Sequence, residues 1–496
     1  MDGRFQDCPD LDLVPANATC VRIGAVLPYL FFVLLPAHAD PCWTVGPVVP
    51  DRTYQLLPSD EDWSFLRDPA LRQDFWDPIK YIRLRNHRDD WYLSVGGEVR
   101  EAFERIGNDN WGQQPIQNAF FLQRYMAHVD VHYGRHVRSF VQLKSGIETF
   151  RQGGPRPIDE KRLDFEAGFV DMCTGGEKDW IAFRLGRQEL NYGSGRLVSV
   201  REGPNVRQSI DGFKIMSKEG AWHIDGFAVR PDFDNFGYFN NNPDSQTGFW
   251  GIYSTRPIRR NVSMDLYYLG INTNQTTYQR GTANELRHTL GARLWRPIAQ
   301  MADGWDFDYE TIWQFGSFGS VNICAWGIAT ETAYRLPTLP LKPRFSLRVD
   351  TTSGDNPRTN TLGTFNALFP VGNYFGILQD TGPGPINFID VQPRIETVFP
   401  HNVSVMTVLL LYWRESLHDG VYGIPGPPFP GLLLRASGNS LARFVGYQPG
   451  VEVRWQIDRH AYLQSDYGIF YAGPFLRQTM PGKNLNYLSF WAGYKF

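Results

Sequence analysis

WDFDYETIWQF, Trp305 to Phe315, alternates almost without a break. Trp305, Phe307, Tyr309, Trp313 and Phe315 fall on one face of an extended chain. Asp306, Asp308, Glu310 and Gln314 fall on the other. A period of two with an apolar face and a charged face describes a β-strand that is dry on one side and wet on the other. Trp91 to Arg105 repeats the pattern, with Leu93, Val95, Val99 and Phe103 against Ser94, Glu98, Arg100 and Glu104. Asn118 to Tyr133 sets Tyr125, Ala127, Val129 and Val131 against Arg124, His128, Asp130 and His132.

Periodicity cannot say whether the wet face looks outward, as in a soluble sandwich, or into the lumen of a membrane barrel. Strand length helps. Many runs are about 10–15 residues, beyond the usual ~5–6, and a tilted membrane-crossing strand needs about 9–11. Aromatics at run ends, such as Tyr412, Trp413 and Trp455, suit interfacial girdles. About eighteen such runs fit between residue 91 and residue 496, and their connections mostly alternate long and short. The long connections include 106–118, 191–208, 232–245, 271–285, 354–385, 416–440 and 473–485. The short ones include Gly134-Arg135, Lys218 to Gly220, Pro400-His401 and Asp458-Arg459. Connections 317–321 and 336–343 break the alternation. Long loops on one rim, tight turns on the other and an even strand count place both termini in the periplasm. The fold expected is all-β: a monomeric, transmembrane, up-and-down antiparallel β-barrel in the outer membrane.

Composition agrees. Aromatics make up 15% of the 496 residues and charged residues 20%, with 48 Gly and 34 Pro. Mean hydropathy is -0.35. No apolar run after the N-terminal region reaches the ~18 residues of a transmembrane helix. A net charge of -3 suggests no nucleic-acid partner. The five cysteines show no CxxC or metal spacing, and Cys173 and Cys324 read as packing residues. Ile23 to Leu35, preceded by Arg22 and followed by Ala37-His38-Ala39, reads as a signal peptide with Asp40 as the mature start. The acidic residues before it suit an N-terminal extension, with Val21 as initiator. The expected organisation is 1–39 signal and extension, 40–90 periplasmic segment, 91–496 barrel. Leu488, Phe490, Ala492, Tyr494 and Phe496 share one face, like the signal read by the barrel-assembly machinery.

Gly186 to Gly212, GRQELNYGSGRLVSVREGPNVRQSIDG, interrupts the strands. It carries Arg187, Arg196, Arg201 and Arg207 among glycines, prolines and asparagines. It reads either as a basic loop placed to meet a ligand or as a solvated loop whose charges hold itself together. Arg187 and Glu189 share the phase of Phe183 and Leu185, so either Gly186 marks a bulge or the pair lies above the membrane. Strand phase puts Arg100, Arg124, Arg138, Lys144, Arg293 and Arg348 on the wet face, with Glu98, Asp130, Glu166, Asp306, Asp308 and Glu310 nearly balancing them. Many of these charges are expected to pair across strands.

Three segments together resemble the alginate export family of outer-membrane barrels. The first is EDWSFLRDP…WDPIKYIRL…WYLSVGGEVRE, Glu61 to Glu101. The second is the basic loop preceded by DEKRLDFEAGFVDM, Asp159 to Met172. The third is TFNALFPVGNYFG…INFIDVQP, Thr364 to Pro393. The resemblance implies an eighteen-stranded monomeric conduit of the Gram-negative cell envelope, with a basic lumen for an anionic polysaccharide. It implies substrate contacts at Arg187, Arg196, Arg201 and Arg207, and first-strand contacts at Glu98 and Arg100; Arg124 and Arg138 join them from the wet face. Family exporters also carry plugging loops, including a late periplasmic turn. Here Asp458-Arg459 is short, which points to loops 354–385 and 416–440 instead.

A polyuronate carries one carboxylate per sugar. Arginine suits it because its planar fork meets carboxylates bidentately and never deprotonates. Contacts must also be weak enough to release the chain. The function expected is passive export of an alginate-like exopolysaccharide, with no cofactor and no nucleotide site, since GxxxxGK[ST] is absent. Expected partners are outer-membrane lipid, lipopolysaccharide, and periplasmic and inner-membrane polysaccharide-synthesis proteins. The alternative is a substrate-specific porin for small anions or sugar acids. An enzyme would have to use His128, Asp130 and His132, or the carboxylates Asp306, Asp308 and Glu310; neither set has a telling context for catalysis or metal binding.

Overall fold

The computed structural model describes residues 52–86, 88–114, 117–176, 178–259, 261–296, 304–378, 382–424 and 432–496. The expected signal peptide, its N-terminal extension and its cleavage site lie outside these residues.

Among the described residues, eighteen long strands form one closed antiparallel barrel. They are β1 (Arg88–Gly107), β2 (Gln117–Tyr133), β3 (Val137–Thr149), β4 (Lys161–Gly175), β5 (Trp180–Gln188), β6 (Ile210–Glu219), β7 (Trp222–Phe233), β8 (Thr247–Arg259) and β9 (Val262–Tyr278). They continue as β10 (Gly281–Arg296), β11 (Gly304–Phe318), β12 (Val321–Arg335), β13 (Arg344–Thr352), β14 (Phe388–Phe399), β15 (Val403–Trp413), β16 (Phe444–Gln456), β17 (Ala461–Ala472) and β18 (Leu485–Lys495). Each strand pairs with its sequence neighbour. β1 closes the ring on β18, in register from Glu98↔Lys495 to Gly107↔Asn486. Closure removes the two free edges that an open sheet of this size would present to lipid.

The alternation works as read. On β11 Trp305 and Trp313 are each 59% exposed on the outer wall, whereas Asp306, Glu310 and Gln314 are buried inside. On β2 Phe121, Tyr125 and Val129 face out, and Arg124, His128, Asp130 and His132 face in. Turns 134–136, 220–221, 400–402 and 457–460 share the rim of the β1 start and the β18 end. That rim is periplasmic by the rule that short turns lie on that side. Connection 336–343 belongs to the same rim, and the tight turn 319–320 to the opposite one.

One expected long loop is a strand extension. Residues 271–285 form the top of a hairpin, with β9 running to Tyr278 and β10 beginning at Gly281. The polar run Asn272 to Thr277 resembles a loop, but its threonines pair well in a ladder. A local register shift between Thr273 and Thr276 absorbs the irregularity. Cys173 and Cys324 are both disulfide-bonded, which corrects their reading as packing residues.

Three segments enter the barrel. Loop 189–209 descends from the outer rim, and loop 353–387 meets it. Leu197 and Val198 from the first pack with Phe365, Ala367, Leu368 and Phe369 from the second against Phe227, Phe249, Tyr253, Tyr267 and Leu269 of the wall. Tyr374, Phe375 and Leu378 carry the second loop across to β15–β18. The inner wall is therefore not uniformly wet: β7–β9 carry an apolar, aromatic inner face because loops pack there. Loop 414–443 lies over these, with Asp419 accepting from Thr364 Oγ1 at 2.7 Å and from Tyr422 Oη at 2.7 Å.

The third segment corrects the expectation about the periplasmic side. Turn 457–460 is indeed short, yet residues 52–81 cross the mouth. Trp63, Leu66 and Tyr81 form a small core with Tyr92 of β1. Lys80 is buried, its ammonium lying 4.9 Å from the Trp63 ring centre and donating to the Phe496 main-chain oxygen at 2.8 Å. Burial pulls the Lys80 ammonium down to about 8, against Glu61, Asp74 and Asp77. Main-chain oxygens of this segment accept from the wall and from the inserted loop, Ser59 O from Arg138 at 2.7 Å and Leu56 O from Arg207 at 2.9 Å.

A candidate anion site in the lumen

Loop 189–209 is held by its backbone first. Ser199 N donates to Phe369 O, Phe369 N to Leu197 O and Val371 N to Gly195 O, each at 2.9 Å. These bonds make a short parallel ribbon between the two inserted loops. Arg201 has φ 55° and turns the chain back. Asn205 then pins the loop to the wall. Its amide donates to Gln123 O at 2.9 Å and Asp159 O at 3.0 Å, and its backbone N–H to the Asp159 carboxylate at 3.0 Å.

Between the two anchors, residues 202–204 lie against β1 and β2. Arg100 and Arg124 stand directly opposite each other across those strands. Like charges so placed repel, so an anion between them is required. Glu202 supplies it. One carboxylate oxygen bonds Arg124 and lies 3.7 Å from Arg100; the other lies 3.3 Å from Arg207. Glu98 takes the far side of Arg124 at 2.6 Å, and Glu189 lies 2.8 Å from Arg207. Arg100 also donates to the carbonyls of Glu202, Gly203 and Pro204 at 2.7, 3.3 and 2.9 Å, which fixes the turn. Burial would raise the Glu202 carboxyl, but Arg124, Arg207 and Arg100 outweigh it and hold it well below the usual carboxylate range. Glu189 goes the other way: burial pushes it up against the pull of Arg207.

The other predicted residues fall elsewhere. Arg187 ends β5 with no bulge, since β4–β5 pairing runs through Phe169↔Gly186 and Gly168↔Arg187 in step. Gly186 has φ 135°, and a Cβ there would lie 2.2 Å from Gly168 O, so glycine is required. Arg187 engages Asp211 at 2.8 Å and Asp232 at 2.9 Å. Arg196 lies across the lumen, at 2.9 Å from Asp308 and 3.1 Å from Glu310. Arg201 lines a small polar cavity with Pro157, Ile158, Arg207 and Asp232. Arg138 is bidentate to Asp130 at 2.7 and 2.8 Å. The structure thus brings Glu98, Arg100, Arg124 and Arg207 together, sets Arg201 beside Arg207 on the cavity side, and leaves Arg138, Arg187 and Arg196 apart. Sequence reasoning missed Glu202 and Glu189. Both lie in the stretch that drew attention, but a loop acid beside arginines has no distinguishing spacing.

Neither enzyme constellation is free for chemistry. Asp130 is taken by Arg138 and lies 3.1 Å from His132 Nε2. Asp306 is bidentate to Arg344, and Asp308 to Arg293. Among the described residues no group of three or more His, Cys, Asp or Glu is placed to hold a metal ion.

The family profile described as alginate export matches residues 91–489, from near the start of β1 into the first half of β18. The chain belongs to the alginate export family. No curated protein matches it by sequence. Solved structures similar in fold are outer-membrane porins. A BenF-like porin from Pseudomonas fluorescens Pf-5 matches with TM-score 0.55 and 9% identity, over 82% of this chain and 98% of that one. Pseudomonas aeruginosa OpdO matches with TM-score 0.54 and 9% identity, over 82% and 97%. OccK2 (OpdF) from the same organism, solved with glucuronate, matches with TM-score 0.52 and 10% identity, over 82% and 97%. At such identities the likeness is one of fold. Family and fold together make this alginate export family member an outer-membrane channel.

Proposed function

We propose that the channel exports an alginate-like anionic polysaccharide by passive conduction, with Arg100, Arg124 and Arg207 as its carboxylate contacts. One observation carries this reading: three buried guanidiniums converge on a single carboxylate that is itself reachable from the lumen. Arg124 and Arg207 each keep a buried acid of their own, Glu98 and Glu189, and still turn toward the shared carboxylate. Arginine forks aimed at one shared position suit a ligand that presents carboxylates in succession. Synthesis of the polymer or its gradient would supply the driving force. Polysaccharide-synthesis proteins of the periplasm and inner membrane would deliver the chain. Outer-membrane lipid and lipopolysaccharide would surround the barrel, and the barrel-assembly machinery would insert it. A single closed barrel suffices as the conduit, with no catalytic step.

The test is planar-bilayer conductance of wild type and Arg124→Ala/Arg207→Ala with polymannuronate or polyguluronate. Export predicts block by the polymer at low salt, weakened at least tenfold in the double variant. An open pore indifferent to polyuronate sinks the reading in favour of a porin for small solutes.

A further inference from the structure

Glu202 combines three features. It sits on an inserted loop and not on the wall. Its side chain is 37% exposed, while those of Arg100, Arg124 and Arg207 are each 1% exposed. And its two oxygens divide between partners, one toward Arg124 and Arg100 and the other toward Arg207. The carboxylate therefore stands between the guanidiniums and the water of the lumen. A uronate residue offers the same group: a planar carboxylate with two equivalent oxygens on a saturated carbon.

We infer that Glu202 is a built-in pseudo-ligand, and that the position its carboxylate occupies is a subsite for one uronate carboxylate of the transported chain. The inference rests on the export reading and assigns the site at which the polymer is first gripped. Exchange needs no backbone movement. Arg100 holds the carbonyls of residues 202–204 and Asn205 holds the wall, so rotation of the Glu202 side chain into the lumen vacates the position. Exchange also leaves charge balanced: a carboxylate leaves and a carboxylate arrives, so Arg100 and Arg124 never face each other uncompensated. The tethered acid acts as a competitor at high effective concentration and weakens each grip. A conduit needs this, because a site that holds its ligand tightly stops conducting. Arg207 also donates to Leu56 O, so the periplasmic segment touches the same subsite from the side on which the polymer would arrive.

The test compares wild type with Glu202→Gln in planar bilayers, adding glucuronate, polymannuronate and neutral glucose in turn. Glutamine keeps the shape and removes the charge. The expected result is block by glucuronate and by polymer at roughly tenfold lower concentration in Glu202→Gln, with glucose inert in both. A second readout follows from the arginine pair that has lost its shared anion: Glu202→Gln melts lower than wild type in buffer, and uronate raises its Tm more than equimolar chloride does. Wild type blocked by uronate, with Glu202→Gln unchanged or weaker, overturns the pseudo-ligand and leaves export standing. A gain for glucuronate with no polymer effect in either protein keeps the subsite and removes the export reading. Indifference of both proteins to both uronates overturns both. Should Glu202→Gln fail to fold by electrophoretic heat-modifiability, Glu202→Asp replaces it. Its carboxylate is too short to span Arg124 and Arg207, and the same gain is expected at smaller size; no gain overturns the inference.

Discussion

Loop 189–209 makes ionic contacts of opposite polarity with two regions of the barrel wall. Near its C-terminal end it presents a carboxylate, Glu202, to wall arginines, Arg100 on β1 and Arg124 on β2. Near its middle it presents an arginine, Arg196, to wall carboxylates, Asp308 and Glu310 on β11. The second contact lies in an acid-rich neighbourhood, where Arg293 pairs with Asp265 and Asp308, and Arg348 with Asp350. There the loop cation is buried and its partners are fixed to strands. At the first contact the wall cations are buried and the loop anion is half open to water. The difference teaches that an arginine's role depends on who carries its counter-charge. A partner fixed on a strand makes a rivet. A partner on a side chain free to swing leaves an anion site behind it.

Four measurements press on that distinction, from the largest effect down. Arg124→Ala strands Glu98 and Glu202 in the lumen without their principal cation. Denaturant unfolding should show a loss of about 3–5 kcal/mol, the usual cost of breaking a buried pair, together with loss of uronate block. Arg196→Ala should cost less, about 1–3 kcal/mol, because Asp308 keeps Arg293 and Glu310 keeps the Tyr267 hydroxyl at 2.6 Å. Its uronate block should match wild type; a weakened block would erase the contrast between rivet and site. The periplasmic segment supplies the third test. Lys80 titrates near 8 when docked, below its ordinary 10.5, so the docked segment binds fewer protons between those values. Docking should be flat below pH 8 and strengthen as pH rises toward 10.5, by at most about 1.4 kcal/mol per unit. Protection of residues 52–81 from proteolysis across pH ~7 to ~10, read as a slower cleavage rate, checks the sign. The smallest effect belongs to Arg454, an inward arginine whose hydrogen bonds to Gln464 and Gln456 are long, at 3.4 and 3.5 Å. Arg454→Gln should move stability by less than ~0.5 kcal/mol. A larger loss would show that long, neutral contacts also act as rivets.

The barrel was legible because each strand reports its own two environments. Trp305 to Phe315 states which side chains meet lipid and which meet the interior, and no distant residue alters that. The apolar inner face of β7–β9 was not legible. Phe227, Phe249 and Tyr253 owe their inward burial to Leu197, Phe365 and Phe369, which lie in distant loops, so strand phase alone does not reveal it. Residues 271–285 misled for a local reason: threonine and asparagine serve both loops and exposed ladders. The crossing of the periplasmic mouth by residues 52–81 was hidden because its contacts with Arg138 and Arg207 go to main-chain oxygens, of Ser59 and Leu56, which any residue type offers.

From the chain itself came the period of two, the long and short connections, the aromatic outer wall, and therefore an outer-membrane barrel with charges turned inward. Those properties depend on residues adjacent in sequence and on the solvent each face meets. Which arginines form a site was decided only by tertiary structure. Arg100 and Arg124 become a pair through register across β1 and β2, and Arg207 and Glu202 join them only when loop 189–209 folds into the lumen. Electrostatic partnership falls off over a few ångströms in space, and a sequence does not specify those distances.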